Sequence, residues 1–259
     1  MKISGVVVTY NEENNIARCL NSMKEVVDEM IVVDSFSTDK TEEICRQLGA
    51  QFIQHEYINH IEQKMYTTSL VNNDYILMLD ADEYLSEKLI EKIKDIKAKP
   101  DAVADGYVIN RFNKYCSHWI KYCGYYPDKK VRLWNRHKGK IGGTNPHEQV
   151  VMDKDAHVQR LNLDILHLAY DSVDEHLAQM YNYANIIAKA KFKQGRKVNF
   201  LIHVLLNPLF KFTKKYFFQL GFLDGYYGFV FCAADSSLNF FKYLKLYEYN
   251  RLKKRNKLP

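Results

Sequence analysis

Apolar residues follow two alternating patterns along roughly the first hundred positions. Four short runs are rich in apolar and aromatic residues, as strands are, and read SGVVVTY, EMIVVDS, QFIQHEY and DYILMLD. Between the runs, apolar residues recur every three or four positions; NNIARCLNSMKEVV places Ile16, Leu20, Met23 and Val27 on one helical face. This β-α-β-α-β-α-β order predicts a parallel sheet with helices on both faces.

The pattern changes after the helix predicted in SEKLIEKIKDIKAK, which Pro100 ends. Residues 106–170 hold short, aromatic-rich segments separated by Gly, Asn and Pro: GYVINRF, KVRLWNR, HEQVVM and LDILHLAY. Such segments favour antiparallel or mixed pairing, so we expect them to extend the sheet. From residue 171 onward the pattern is helical, with segments near 172–195, 198–220 and 224–256. We predict an α/β domain over residues 1–170 and a helical extension over 171–259.

Charge is distributed unevenly between these two parts. Residues 171–259 contain fifteen Lys and Arg against six Asp and Glu, whereas the rest of the chain contains 22 against 25. The predicted helices interleave bases with aromatics, as in FKFTKKYFF and FFKYLKLYEYNRLKKR, and no apolar stretch reaches the ~18 residues needed to span a bilayer. This pattern is typical of helices that lie on an anionic membrane surface. A solvated basic face is the alternative; nucleic acid is not the expected partner.

Cysteine usage and the first residues indicate the compartment. The five cysteines are scattered and form no CxxC pair, which argues against a disulfide framework and a zinc site. The chain starts with a strand-like segment rather than the basic head and apolar stretch of a secretory signal. We therefore expect a cytoplasmic protein attached peripherally to the inner face of the cell membrane.

Polar residues follow three of the predicted strands, in VVVTYNEEN, IVVDSFSTDKT and LMLDADE. Ligands of parallel α/β sheets bind at the carboxyl ends of the strands, so the three motifs together describe a site. Asp80 and Asp82 point the same way in extended backbone, roughly 6–7 Å apart, and such paired carboxylates favour a divalent cation. Mg²⁺ or Mn²⁺ fills its remaining positions with water and phosphate oxygens, which predicts a phosphorylated ligand. Asp34 either accepts hydrogen bonds from that ligand or caps its own turn.

These motifs, in this order and spacing, resemble the nucleotide-sugar-binding motifs of family 2 glycosyltransferases, which are inverting enzymes with the GT-A fold. YPDKKVRLWNR, NPHEQV and GFLDG are further similar to the subgroup that includes lipopolysaccharide core β-glucosyltransferases. The resemblance implies transfer of a sugar from a nucleoside-diphosphate sugar, such as UDP-glucose, to a glycan or lipid-linked acceptor. The products would belong to cell-envelope polysaccharide or lipopolysaccharide.

The resemblance also implies roles for the residues that bind the nucleotide sugar. Nucleotide contacts fall to the first motif: Thr9, Tyr10, Asn11 and Glu13. Asp34 would contact the base, usually uracil, and Lys64 the base or the diphosphate. The second motif departs from the family pattern, because VDSFSTDKT lacks the usual glycine.

The DxD motif and Arg132 would serve the diphosphate. Asp80 would face the ribose or the metal, Ala81 lies between the two carboxylates, and Asp82 would bind the Mn²⁺ or Mg²⁺ that bridges the diphosphate. Arg132 would stabilise the charge on the leaving group.

The acceptor hydroxyl needs a base, and three carboxylates are candidates: Glu148, Asp128 and Glu83. We favour Glu148, because its loop contains Gly142, Gly143 and Pro146 and can bring it over the sugar. The neighbouring His147 can supply an imidazole ligand to the metal. His167, at the end of a strand, is expected to be structural.

Two other functions match part of the sequence. A sugar-phosphate nucleotidyltransferase shares the sheet architecture but needs a Gly-rich phosphate loop after the first strand, where this chain has TYNEEN. A non-enzymatic membrane-surface protein would use the basic helices alone.

Overall fold

The computed structural model describes residues 1–99, 103–144 and 147–255, apart from the side chains of Thr144 and His147. The strands are β1 (Ile3–Thr9), β2 (Glu29–Asp34), β3 (Gln51–Gln54), β4 (Tyr75–Asp80), β5 (Glu83–Leu85), β6 (Gly106–Tyr115), β7 (His118–Trp119), β8 (Asp128–Asn135), β9 (Gly139–Thr144), β10 (His147–Met152) and β11 (Val158–Tyr170). The helices are α1 (Ile16–Met23), α2 (Thr41–Gln47), α3 (His60–Ser69), α4 (Glu87–Ala98), α5 (Val173–Lys193), α6 (Asn207–Thr213) and α7 (Gly225–Lys254).

The chain divides into two compact units. The first contains Met1–Phe112 and Pro127–Leu168, and the second contains Asn113–Tyr126 and the chain from Ala169 onward. The segment Asn113–Tyr126, which the sequence assigns to the α/β domain, therefore groups with the helices. The α/β class with a C-terminal helical region is confirmed.

The first unit is built on a mixed sheet with the strand order β3-β2-β1-β4-β8-β6-β11-β5. Strands β3, β2, β1 and β4 are parallel, whereas β8 runs antiparallel to β4 and β6, and β5 runs antiparallel to β11. The parallel half comes from the strands predicted in the first hundred residues, and residues 106–170 extend it as expected. Strands β9 and β10 form a separate hairpin.

Both faces of the parallel strands are covered, as their apolar runs predict. On one face, side chains such as Val7, Val32 and Leu79 pack with α1, α2 and α4. On the other face, side chains such as Val6 and Val33 pack against α3 and the β9–β10 hairpin. Three residues of the predicted stripe, Ile16, Leu20 and Met23, are buried on α1, whereas Val27 lies beyond the end of the helix and is half-buried. A Cβ at Gly5 would lie 2.5 Å from Met23 Cε and 2.9 Å from Val27 Cγ1, so a larger residue there would displace these side chains.

The second unit consists of helices whose termini are capped by local sequence. Ser172 Oγ accepts the Glu175 backbone N–H at 3.1 Å and starts α5, whereas Arg251, Lys253 and Lys254 occupy the last turn of α7, where the helix dipole favours cations. Helices α5 and α7 pack together around Ala188 and Leu246.

The helix predicted near 198–220 is continuous past Pro208. A π-helical segment (Phe200–Leu206) leads into α6, and a second one (Lys214–Phe218) follows. Pro208 lies in the first turn of α6, at its junction with the π-helical segment. Within the described ranges, every helix is too short or too polar to cross a bilayer.

Candidate active site

The three polar motifs end at the same edge of the parallel sheet. Thr9 pairs with Asp34 across β1 and β2, and Val8 pairs with Asp80 across β1 and β4. The register therefore brings Thr9, Asp34 and Asp80 together at the carboxyl ends of adjacent strands, where ligands of such sheets bind.

The loops after β1 and β2 are held together by the polar side chains of the first motif. The Asn11 backbone N–H donates to Ser37 Oγ at 2.7 Å, and Asn11 Oδ1 accepts the Thr38 N–H at 2.8 Å. Glu13 Oε2 accepts the Lys40 N–H at 3.0 Å. Asn11 and Glu13 thus position the second motif, and their predicted contact with a nucleotide stays a prediction.

Asp34 is fully buried and caps its own turn. One carboxylate oxygen accepts the Ser37 N–H at 2.7 Å, and the other accepts the Ser37 hydroxyl. Within the described structure the neighbouring Thr9 Oγ1 is buried without a hydrogen-bond partner. The sequence assigned this hydroxyl to the nucleotide, and that contact stays a prediction.

Two exposed aromatic side chains flank the buried Asp34. Tyr10 is 58% exposed and Phe36 is 53% exposed. Phe36 has a φ of 63°, in the left-handed region that glycine occupies readily and a phenylalanine rarely does. The loop that lacks the family's glycine therefore keeps a glycine-like backbone and presents an aromatic ring.

Asp80 is held between two buried cations. Lys64 Nζ lies 2.7 Å from Asp80 Oδ1, and Arg132 Nη2 lies 3.0 Å from Asp80 Oδ2. Burial alone would raise the pKa of Asp80, but Lys64 and Arg132 outweigh it and hold the pKa well below its usual range. Burial likewise would lower the pKa of Lys64, but the Asp80 charge raises it, so both groups remain ionised.

Glu83 supports this cluster from below the surface. Its side chain is completely buried, with Oε1 2.6 Å from Arg132 Nη2 and 3.4 Å from Arg111 Nη1. The other oxygen accepts the Asp80 backbone N–H at 3.0 Å. Glu83 therefore fixes Arg132 and the turn of the DxD motif, and its candidacy as the base stays a prediction.

The other two candidate bases are ion-paired and partly exposed. Glu148 Oε1 lies 2.9 Å from Lys64 Nζ, and this charge overcomes the opposing effect of burial and lowers the pKa of Glu148. Asp128 pairs with Arg111 Nη2 at 2.7 Å. Gly142 and Gly143, which the sequence places in a loop, belong to strand β9, and Gly143 lies opposite Glu148 in the β9–β10 hairpin; Pro146 lies outside the described residues.

The remaining two residues of the DxD motif, Ala81 and Asp82, differ in their exposure to solvent. Ala81 is buried in the hydrophobic core, and its predicted contact with the nucleotide sugar stays a prediction. Asp82 is partly exposed, and its Oδ2 lies 3.1 Å from His167 Nε2. His147, the predicted imidazole ligand, has its side chain outside the described residues.

Sequence reasoning missed the roles of His167, Glu83 and Arg111 in this cluster. His167 pairs with Glu83 across β11 and β5, two strands far apart in the chain. The only signal in the sequence is a polar residue within an apolar strand, in LDILHLAY. This signal does not identify the partner strand.

Asp82 and His167 suit a divalent cation that also binds phosphate. Among the side chains that the structure describes, no three His, Cys, Asp or Glu residues are grouped as a metal site. Mg²⁺ and Mn²⁺ need only one or two protein ligands when phosphate oxygens and water complete the shell. A carboxylate oxygen and an imidazole nitrogen at a partly exposed position therefore fit such an ion.

Comparison with known proteins agrees with the motifs. An uncharacterized glycosyltransferase of Rickettsia felis is 34% identical over 98% of this chain and 92% of its own length. The lipopolysaccharide core biosynthesis glycosyltransferase LpsC of Rhizobium meliloti is 24% identical over 98% of this chain and 95% of its own. Glucosyl-3-phosphoglycerate synthase from Mycobacterium tuberculosis, solved with Mn²⁺, UDP and glucosyl-3-phosphoglycerate, is 22% identical over 44% of each chain, with a TM-score of 0.35. The sequence model described as "Glycosyl transferase family 2" matches residues 4–156, and the chain is a glycosyltransferase that belongs to this family.

Proposed function

We propose that the protein transfers a hexose from a UDP-sugar, with inversion at the anomeric carbon, to a glycan or lipid-linked acceptor of the cell envelope. The observation that carries this proposal is the meeting of Thr9, Asp34 and Asp80 at one sheet edge, next to the partly exposed Asp82. Family membership supports the reaction class. The likeness to LpsC along nearly the whole chain supports an envelope glycan as acceptor.

The nucleotide would bind over the ends of β1 and β2. Each oxygen of Asp34 accepts one hydrogen bond from Ser37 and retains a lone pair for the N–H of a uracil base. Exposed rings at Tyr10 and Phe36 offer stacking surfaces for the base. The unsatisfied Thr9 hydroxyl would gain a partner.

The leaving diphosphate would lie toward the carboxyl end of β4. Asp82 and His167 would hold Mn²⁺ or Mg²⁺, which when bound neutralises charge on the diphosphate. Arg132 is held in one orientation by two carboxylates, so it presents a fixed positive charge on this side of the sheet. Pre-oriented charge of this kind stabilises a developing anion without reorganisation.

Glu148 remains our proposed base for the acceptor hydroxyl. Lys64 contacts both Glu148 and Asp80, which links Glu148 to the donor edge. The lowered pKa keeps Glu148 ionised at neutral pH, the form that accepts a proton. Asp128 is the alternative, and we expect Glu148→Gln to abolish turnover with donor affinity retained, whereas Asp128→Asn retains turnover.

The helical unit would attach the enzyme peripherally to the cytoplasmic face of the membrane. Its excess of Lys and Arg supports attraction to anionic lipid headgroups. A lipid-linked acceptor would lie in the same membrane.

Titration with UDP and Mn²⁺, followed by a screen of UDP-sugars for metal-dependent hydrolysis and transfer, tests the proposal. Asp82→Asn is expected to remove the effect of Mn²⁺ on UDP binding. The matched control is Asp74→Asn. Asp74 is an exposed aspartate that also lies beside a histidine, His137, but it precedes strand β4, whereas Asp82 follows that strand. The proposal is wrong if UDP does not bind, or if Asp82→Asn behaves like the control. Release of pyrophosphate from UTP and a sugar phosphate would instead support a nucleotidyltransferase.

A further inference from the structure

The second unit exposes an unusual number of large apolar side chains in one segment. Fourteen of them lie between Phe200 and Phe229, and we call this set the apolar surface. Its members are Phe200, Leu201, Ile202, Leu205, Leu206, Leu209, Phe210, Phe217, Phe218, Leu220, Phe222, Leu223, Tyr226 and Phe229. Soluble monomers rarely expose apolar residues in such density unless the surface binds something.

The same segment already buries an inner face, so the apolar surface is not its core side. Val204 is buried with Ala188 and Leu246, and Phe212 and Tyr216 pack against a second cluster around Phe231. A helix that is apolar on its outer side as well as its inner side is expected to have a second apolar environment.

Charge around the apolar surface is positive. Lys193, Arg196 and Lys197 precede it and are exposed, and the exposed Lys214 lies within it. The only acidic residue among positions 193–234 is Asp224, which is buried and accepts the Tyr122 N–H at 2.8 Å. The exposed charges here are thus complementary to an anionic surface.

The C-terminal part of α7, where the sequence also suggests membrane contact, uses its apolar residues internally. Phe240, Leu244, Tyr247 and Tyr249 pack around the buried Leu246. Packing between helices therefore accounts for the alternation of these residues with lysines. The sequence alone did not distinguish such packing from contact with a membrane.

We propose that the apolar surface inserts into the headgroup–acyl boundary of a bilayer containing anionic phospholipids, with Lys193, Arg196, Lys197 and Lys214 at headgroup level. This inference rests on the membrane association in the proposed function and narrows it to residues 193–229. Insertion of apolar side chains supplies the affinity, and the bases supply the preference for anionic lipid.

Co-sedimentation with vesicles tests the inference, using phosphatidylglycerol mixed with phosphatidylcholine and, separately, phosphatidylcholine alone. We expect the full-length protein to prefer the anionic vesicles. Phe210→Ser/Phe218→Ser changes two of the most exposed members and is expected to lower the partition coefficient at least about tenfold. The matched control is Leu177→Ser/Ile186→Ser, which changes two exposed apolar residues of α5 and is expected to bind as the wild type does.

Several outcomes would overturn the inference. The first is that Phe210→Ser/Phe218→Ser binds to the anionic vesicles as well as the wild type does. The second is that the α5 control loses as much binding as Phe210→Ser/Phe218→Ser does. The third is that the wild type binds to neutral vesicles as well as to anionic ones. A lipid-free dimer that Phe210→Ser/Phe218→Ser converts to a monomer would assign the apolar surface to a second copy of the chain instead. UDP binding is measured in parallel in lipid-free buffer. If UDP does not bind to the wild type, the enzymatic proposal is refuted, whereas the result of the vesicle experiment is unaffected.

Discussion

Replacing Glu83 with glutamine tests whether this buried carboxylate holds the candidate active site together. Glutamine keeps the size and one acceptor oxygen of the side chain but removes its charge. The wild-type carboxylate contacts Arg132 at 2.6 Å, Arg111 at 3.4 Å and the Asp80 backbone N–H at 3.0 Å, and the Glu83 side chain itself has no solvent exposure. The substitution therefore removes a buried charge opposite two guanidinium groups.

The contacts that survive set the magnitude of the effect. Removing one partner of a buried ion pair typically costs about 3–5 kcal/mol. Arg132 keeps Asp80 and Arg111 keeps Asp128, so neither cation is left alone. We therefore expect a loss of about 2–3 kcal/mol in the free energy of unfolding. For a chain of this size that loss corresponds to a fall of roughly 5–10 °C in Tm.

Thermal unfolding and titration with UDP measure the two consequences. Glu83→Gln is expected to lower Tm and to weaken UDP binding, because Glu83 fixes Arg132 and the turn of the DxD motif. The control is Glu87→Gln, an exposed glutamate at the start of α4, which should change the free energy of unfolding by less than about 0.5 kcal/mol. Wild-type stability in Glu83→Gln would refute the reasoning. Loss of turnover with stability and UDP affinity intact would instead make Glu83 the base.

Three further substitutions test separate parts of the structure. Burial lowers the pKa of His176 to about 4. The unfolded chain, with a histidine pKa near 6.5, binds the proton first, so stability should fall by up to about 3 kcal/mol between roughly pH 6.5 and 4. His176→Gln should flatten that slope in urea unfolding, and an unchanged slope would contradict this assignment. Phe36→Gly removes a strained φ and should leave Tm equal or slightly higher while UDP affinity falls; unchanged affinity would exclude stacking on Phe36. His167→Ala should weaken Mn²⁺ binding measured with UDP present, whereas His137→Ala, an exposed histidine beside Asp74, should not; equal behaviour would remove His167 from the metal site.

The parallel half of the sheet was predictable because its signals are local. Each strand is a short apolar run, and each intervening helix repeats apolar residues at its own period. The position of the motifs followed from the same pattern, since parallel strands end at a common edge. Thr9, Asp34 and Asp80 therefore meet where the sequence indicates.

Contacts between distant segments were not predictable from these signals. The sequence offered Glu83 only as a candidate base, because the residues that contact it, Arg132 and Arg111, come from the distant strands β8 and β6. His167 was expected to be structural because nothing in the chain indicates that β11 pairs with β5. In the helical unit, the sequence showed many apolar and basic residues but not which of them face inward.

The two carboxylates of the DxD motif show how such distant contacts give two aspartates different surroundings. Each oxygen of Asp80 faces a buried cation, Lys64 from α3 or Arg132 from β8. A divalent ion placed at Asp80 would lie beside both of these positive charges and be repelled by them. Asp82, two residues later, is partly exposed and faces an imidazole that binds metals when neutral. Of these two carboxylates we therefore assign the proposed metal to Asp82, and we propose that Asp80 positions Lys64 and Arg132.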